Sequence, residues 1–335
     1  MIVRRWSAQT GQAAWLARRL VAAGTNVVTS VVPSGFAAYA RLLHPVAAVE
    51  RPGATPVRWR DIARWSGLPL EGESEFHAVA LPPVPVATPP PWRGQGPRRG
   101  SLEEADLLVL LEILRSETST PGHCWFCLWE GYDLAGVPLS SDGADRVVAD
   151  PIPEVARRMP RVELPHRSYL LYSGPLEDAL LVPPPPSPSQ SANLFWPEDR
   201  AWCVASEIDL AWTYVGGSPA LVRALADAVA PEALEVAPDA PVVGPVAPWV
   251  ERWAADALES LVARGEAVVT TPVGHVRAAL ERTGPRGTAL LRTWSRSALG
   301  HRAGGTRRFA PGDEEGLRRD LVTAVAAAIV ALVGG

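Results

Sequence analysis

Two segments that combine tryptophan with cysteine constrain the fold of this chain more than any other feature. They occupy residues 123–132 and 196–209, and together they contain all three cysteines of the sequence. Short apolar runs that are rich in aromatic residues favour buried strands. Because a free cysteine packs as a small hydrophobic residue, we expect the two segments to form neighbouring strands in the core of one sheet.

The remaining patterns predict an α+β fold, in which a mixed or antiparallel sheet packs on helices. Residues 101–104 read Ser-Leu-Glu-Glu and match a capping box. The leucine-rich stretch that follows, to about residue 115, predicts a central buried helix. Residues 27–32 form a β-branched run that predicts a strand, and residues 36–43 predict a helix that ends before Pro45.

Proline-rich stretches suggest how the chain is divided. Residues 82–98 and 183–188 are dense in proline, and we interpret them as excursions from one domain because polyproline is stiff and extended. The stretch at 237–248 is the better boundary, which gives an α+β main domain over residues 1–242. Residues 243–335 carry apolar residues at helical spacing and are predicted to form an all-helical C-terminal domain.

Composition excludes some classes of protein. The chain has 335 residues, is 47% hydrophobic and carries a net charge of −4, so it can form a sizeable core and has no overall attraction to nucleic acid or membranes. Every basic residue is arginine, which suggests a GC-rich bacterial genome. The start of the chain lacks a secretory pattern, and the longest apolar run, residues 321–333, is too short to span a bilayer. We therefore predict a cytoplasmic protein without a membrane partner.

Acidic residues at the ends of the two predicted strands are the strongest functional candidates. Alternation along a strand over residues 201–209 would place Glu207 and Asp209 on one face, and Glu130 lies at the end of the other strand. Two neighbouring carboxylates can bind a cation or share acid–base chemistry. They can equally pair with arginines at the rim of the sheet, where ion pairs contribute little.

Large aromatic residues and an arginine near these strands could complete a binding surface, since tryptophan and tyrosine dominate binding hot spots. The candidates are Trp129, Trp196, Arg200 and Tyr214. The favoured hypothesis is a non-catalytic binding protein for an unidentified protein or small-molecule partner, with no assigned catalytic residue. The alternative is a hydrolase that uses Glu207 and Asp209 with a histidine or a metal ion.

Two weaker signals concern anions. Gly216, Gly217 and Ser218 precede a predicted helix, whose free amide groups could bind an anion, although a turn with a serine N-cap explains the same pattern. Residues 276–309 contain eight arginines and one acidic residue. Such a stretch could contact phosphates, but it matches no nucleic-acid-binding module, so nucleic acid is the less favoured partner.

The cysteines do not predict a metal site or a cofactor. Cys124 and Cys127 form a Cys-x-x-Cys pair with His123 beside it, and thiolate and imidazole are the ligands that zinc prefers. A strand would point the two cysteines to opposite faces, however, and no second pair of ligands follows at close spacing. We therefore predict buried core cysteines.

The motifs themselves resemble those of a known group of proteins. Residues 124–132 read Cys-Trp-Phe-Cys-Leu-Trp-Glu-Gly-Tyr, and residues 196–209 run from Trp-Pro-Glu-Asp-Arg to Ser-Glu-Ile-Asp. Together with the surrounding sequence, over roughly residues 27–235, they resemble a family of uncharacterised actinobacterial proteins. The resemblance implies a cytosolic bacterial protein and assigns no activity.

Overall fold

The structure is a computed structural model. It describes residues 5–22, 24–46, 55–92, 96–129, 152–165, 167–181, 190–271, 274–282, 289–297, 302–309 and 314–330. Contacts divide the chain into two compact units. The first unit comprises Met1–His44 and Arg98–Val242, and the second comprises Pro45–Pro97 and Val243–Gly335.

Helices and antiparallel strands alternate along the described residues. The α-helices are α1 (Ala14–Arg19), α2 (Trp59–Ser66), α3 (Phe76–Ala80), α4 (Glu104–Ser116), α5 (Glu154–Arg157), α6 (Pro219–Asp227), α7 (Pro248–Arg264) and α8 (Glu314–Val330). The strands are β1 (Arg5–Trp6), β2 (Ala38–Leu43), β3 (Cys124–Trp129), β4 (Val162–Glu163), β5 (Ser168–Gly174), β6 (Leu180–Leu181), β7 (Gln190–Ser191), β8 (Leu194–Pro197), β9 (Cys203–Ala205), β10 (Trp212–Gly217), β11 (Glu232–Val236), β12 (Glu266–Thr271), β13 (Gly274–Arg282), β14 (Ala289–Ser297) and β15 (Arg302–Phe309).

The first unit is built on a nine-stranded antiparallel sheet. Its strand order is β1-β5-β3-β8-β9-β10-β2-β11, with β4 paired to β5. The first tryptophan–cysteine segment forms β3, and the second contributes the end of β8 and all of β9. Trp125 on β3 lies directly opposite Trp196 on β8. The predicted α+β fold with an antiparallel sheet is thus observed, with both segments in the sheet.

Helix α4 covers one face of this sheet. Its Leu107, Leu110, Leu111 and Leu114 are buried with Leu221 of α6 against strand residues of that face. The helix begins differently from the prediction, because Glu103 is its N-cap and makes no side-chain cap bond.

The predicted capping serine bonds elsewhere. Ser101 Oγ accepts a hydrogen bond from the backbone N–H of Ser191 at 2.9 Å. The hydroxyl also lies 3.2 Å from Ser191 Oγ. Since Ser191 is 90 residues distant in sequence, a long-range contact replaces the local cap.

Two local predictions near the N-terminus are wrong. Residues 38–43 form strand β2 and not a helix, and all six are buried between β10 and β11. A strand that is buried on both faces reads as a continuous apolar run, which periodicity cannot distinguish from a buried helix. In place of the strand predicted at 27–32, Val28–Ser30 forms a short 3₁₀ helix.

The second unit contains a four-stranded antiparallel sheet in the order β12-β13-β14-β15, with α7 before it and α8 after it in the chain. The prediction of an all-helical C-terminal region is therefore wrong. Along β12 the residues alternate between exposed and buried, but β13 carries an Ala-Ala-Leu-Glu sequence with high helix propensity. Pairing with two neighbouring strands overrides that propensity.

Residues 45–97 belong to the second unit, whereas the sequence prediction placed them in the main domain. Hydrogen bonds between described residues connect them to the start of the C-terminal part. The backbone N–H of Gly244 donates to Glu75 Oε1, that of Ala247 donates to His77 Nε2, and the indole of Trp249 donates to the carbonyl of Leu81. Local patterns cannot reveal bonds between residues that lie about 170 positions apart.

The structure describes most of one of the two proline-rich stretches and none of the other. Residues 82–91 contain no helix or strand, which fits their density of proline. The second stretch, 183–188, lies outside the described residues.

Candidate functional site

One arginine brings the two predicted carboxylates together. Strand β9 ends at Ala205, so Glu207 and Asp209 follow it in a turn and do not lie on a strand face. Arg167, immediately before β5, donates to Glu207 Oε1 from Nε at 2.9 Å and from Nη2 at 2.6 Å. The same Nη2 donates to Asp209 Oδ2 at 2.8 Å. The carboxylates therefore meet at a guanidinium that the sequence prediction did not single out.

Trp129 completes this cluster from the end of β3. The Arg167 guanidinium lies 5.0 Å from the centroid of the Trp129 ring, within cation–π range. Asn193 fixes the backbone here, because its Oδ1 accepts the N–H of Trp129 at 2.8 Å and its side-chain amide donates to the carbonyl of Ser206. The structure thus brings together three predicted residues, Trp129, Glu207 and Asp209. Arg167 and Asn193 belong to the same cluster and were not predicted.

The cluster contains one positive and two negative charges at different depths. Arg167 and Glu207 are 22% and 20% exposed, whereas Asp209 is 73% exposed. Burial lowers the pKa of Arg167, but the hydrogen bond and charge of Glu207, with the charge of Asp209, outweigh it and raise this pKa above its ordinary value. Arg167 therefore stays charged, and the described ionic groups of the cluster leave an excess negative charge.

A cavity of about 400 Å³ opens beside the cluster. Its wall includes Arg167, Glu207 and Asp209, together with apolar residues such as Leu20, Leu164 and Val242. Further polar residues that line it are Asn26, Ser30, Tyr169, Asn193 and Ser206. A concave site of this size that mixes apolar walls with a few convergent polar groups is typical of small-molecule binding sites.

A chain of hydrogen bonds leads from the cavity wall into the core. Ser206 Oγ lies 2.6 Å from Thr213 Oγ1, which lies 2.9 Å from His44 Nε2, and His44 Nδ1 lies 2.7 Å from the carbonyl of Arg98. Burial lowers the pKa of His44 to about 4, so the ring is neutral at pH 7. A carbonyl only accepts, so Nδ1 carries the proton and Nε2 accepts from Thr213. Ser206 then donates to Thr213.

The other predicted aromatic residues are part of the core. Trp196 is buried and packs edge-on against Trp15, with ring centroids 5.9 Å apart. Arg200 lies over the same Trp15 ring at 5.5 Å from its centroid. Tyr214 is buried on β10. None of Trp196, Arg200 and Tyr214 lines the cavity. Trp129 does not line it either, but it contacts Arg167, so Trp129 stays with Glu207 and Asp209 in the cluster. Glu130 lies outside the described residues.

The glycine–serine motif forms a helix cap. Ser218 Oγ accepts the N–H of Leu221 at 3.0 Å and donates to Glu117 Oε2 at 3.0 Å. A Cβ at Gly216 would lie 2.5 Å from the ring of Phe36, and one at Gly217 would lie 2.6 Å from Leu221 Cδ2. Packing therefore explains both glycines, and a carboxylate of the chain itself lies at the helix start, where an anion would bind.

The three cysteines are buried free thiols. Cys124 packs in the core beneath α4, and strand alternation places Cys127 on the opposite face. Burial raises the pKa of Cys124 to about 12, and it also raises the pKa values of Cys127 and Cys203. Within the described part of the chain, no group of three or more potential ligands could hold a metal ion.

The arginine-rich segment, residues 276–309, supplies strands β13, β14 and β15 of the second unit. Its Arg286 lies outside the described residues. The segment is therefore part of a sheet, whereas the prediction placed it among helices.

No protein-family model, curated protein or solved structure matches this chain. The resemblance to actinobacterial proteins thus stays a prediction from the motifs. Of the helices in the described residues, none has the length and apolar character that crossing a membrane requires.

Proposed function

We propose that this chain is a non-catalytic binding protein, and that its ligand is a small polar molecule with a cationic group that binds in the cavity beside Arg167. The observation that carries the proposal is the position of two predicted carboxylates, Glu207 and Asp209, on the wall of that cavity. Arg167 holds both of them by hydrogen bonds. Such fixed groups orient a ligand with little loss of side-chain freedom on binding.

The charge and the unused oxygens of the cluster support a cationic ligand. Glu207 bonds Arg167 through Oε1 alone, and Asp209 does so through Oδ2 alone. Among the described residues, Glu207 Oε2 and Asp209 Oδ1 have no hydrogen-bond partner, so each can accept a donor from a ligand. A ligand ammonium or guanidinium would also offset the excess negative charge of the cluster.

The hydrolase alternative has less support. Glu207 accepts two hydrogen bonds from Arg167, which opposes a role as general base. The described residues that line the cavity include no histidine. Ser206 on the wall does connect to His44, but only through Thr213, whereas a serine nucleophile is activated by a base within direct hydrogen-bonding distance.

A ligand panel monitored by thermal unfolding tests the proposal. The panel pairs cationic probes (agmatine, arginine and choline) with the anionic probe citrate and the neutral probe glycerol. We expect a cationic probe to raise Tm, because a ligand present at about 100 times its Kd stabilises the folded state by about 2.7 kcal/mol. Citrate and glycerol should have no such effect.

Variants assign the effect to the cavity. Asp209→Asn keeps the shape of an exposed side chain, and we expect it to weaken binding of the cationic probe about two- to fivefold, since an exposed charge pair contributes up to about 1 kcal/mol. Asp227→Asn, at an exposed acidic residue of α6, is the matched control and should bind as the wild type does. Equal binding by both variants, or preference for citrate, would contradict the proposal. Ester hydrolysis that Ser206→Ala abolishes would favour the enzyme instead.

A further inference from the structure

One row of residues crosses the open face of the second unit's sheet. In register, Val268 on β12 lies opposite Arg277 on β13, Arg277 opposite Trp294 on β14, and Trp294 opposite Gly304 on β15. Val268 is 58% exposed and Trp294 is 47% exposed, and Arg277 is also exposed. Four strands at about 4.8 Å spacing make this row about 14 Å long. An indole therefore lies open to solvent in the middle of a sheet.

The opposite face of the sheet contributes to the core of the unit. Ala267, Val269, Val276, Ala278 and Leu291 are buried on it. Trp294 is thus not needed to bury that core. Tryptophan is enriched at interfaces and among binding hot spots, so this half-exposed indole beside the exposed Val268 is a candidate contact residue.

The charge of these strands differs from that of the whole protein. Strands β12 to β15 contain seven arginines and two glutamates, whereas the chain as a whole carries a charge of −4. Arg292, two residues before Trp294, is exposed and lies 3.5 Å from Glu281 in a solvent-exposed ion pair, which contributes little. Arg296 is in register with His275 and with Arg302. Two exposed arginines, Arg277 on the neighbouring strand and Arg292 on the same strand, therefore flank the exposed indole on its face of the sheet.

We propose that the Trp294 face, meaning the exposed residues Val268, Arg277, Arg292 and Trp294, binds single-stranded nucleic acid. Every base has a π face that can stack on an indole, and arginines contact the phosphates on either side of the stacked base. Four-stranded sheets that bind single strands stack two or three bases on aromatic residues of one open face. A duplex is disfavoured because its bases are already stacked and its major groove admits a helix or a two-stranded ribbon, which is narrower than a four-stranded sheet.

Fluorescence anisotropy with the full-length protein tests this surface. The probes are end-labelled rU20, dT20 and a 20-base-pair duplex, each titrated between 50 and 200 mM salt. We expect the single strands to bind more tightly than the duplex, with affinity that falls as salt rises because counterions are released. Absence of salt-dependent binding to either single strand would overturn the proposal.

Substitutions separate stacking from charge. Trp294→Ala should weaken single-strand binding about five- to 150-fold, the range of one lost base stack, whereas Trp294→Phe should retain most of the affinity. Arg277→Gln should reduce the slope of log K against log salt by about 0.7, the value for one phosphate contact on a single strand. Arg319→Gln, an equal charge change at an exposed residue of α8, should leave both quantities nearly unchanged.

Two results would contradict this assignment even if the wild type binds. Equal effects of Arg277→Gln and Arg319→Gln would show that overall charge, and not the face, drives binding. Self-association that Trp294→Ala abolishes in sedimentation experiments, with unchanged nucleic-acid affinity, would make the face a protein interface. Thermal unfolding of each variant is the control that checks whether the exposed substitutions leave the protein folded.

Discussion

Arg167 shows why the candidate site could be predicted only in part from individual residues. Glu207 and Asp209 were identifiable because they follow an apolar strand, and Trp129 because it ends another. Arg167 is one of 32 basic residues, and no local pattern distinguishes it. It reaches both carboxylates because β5 pairs with β3 and β3 pairs with β8, which places residues 40 positions apart in contact.

Gly216 provides a test at the scale of one residue. A Cβ there would lie 2.5 Å from the Phe36 ring, and forcing extra volume into a packed core costs about 1–3 kcal/mol. We therefore expect Gly216→Ala to lower the free energy of unfolding by that amount, measured by urea denaturation. Gly122→Ala is the control, since a Cβ at that position has no atom within 4 Å. Equal stability of the two variants would show that the core adapts to the methyl group.

Elements were predictable where their pattern is unambiguous. Strand β3 was predicted because its aromatic run is short, and helix α4 was predicted because its leucine-rich stretch covers 13 residues. Length separates a buried strand from a buried helix. Strand β2 was not predicted, since its six buried residues fit a helix equally well. In β13 to β15, many positions carry polar or small residues, so apolar and polar residues do not alternate clearly. Pairing with neighbouring strands determines the structure there.

Helix α4 packs through one face, and this packing can be tested by substitution. Leu110 is fully buried against the sheet, whereas Leu108 on the same helix is 49% exposed. Leu110→Ala should cost about 2–5 kcal/mol, because it removes buried methyl groups and leaves a cavity. Leu108→Ala should change the free energy of unfolding by less than about 0.5 kcal/mol. Comparable losses from both substitutions in urea denaturation would contradict a one-sided packing of α4.

The whole molecule combines two units with different surfaces. In the first unit, charged residues converge at a cavity whose described ionic groups have an excess of negative charge. The second unit carries a basic sheet with an exposed indole, in a chain whose net charge is negative. The overall charge argued against a nucleic-acid partner because it averages over both units. Charge is informative about partners only when it is assigned to a surface.

Buried histidines in both units predict how the whole molecule responds to acid. Burial lowers the pKa values of His44, in the first unit, and His77, in the second unit, to about 4 from an ordinary 6.5. The folded state therefore favours the neutral rings, and the unfolded state binds more protons below pH 6.5. The stability that the two neutral histidines contribute should be fully present above about pH 6.5. It should decrease as the pH falls toward 4, by roughly 3 kcal/mol for each histidine.

Urea denaturation between pH 7.5 and 4.5 measures this loss, and one variant isolates a single histidine. His77 Nε2 accepts the N–H of Ala247, and the amide oxygen of His77→Gln can accept the same bond without titrating. We expect His77→Gln to remain folded and to lose less stability between pH 6.5 and 4.5 than the wild type does. His275→Gln, at a solvent-exposed position on β13, is the control and should follow the wild-type profile. A His77→Gln profile that coincides with the wild type would show that His77 does not remain neutral in the folded protein.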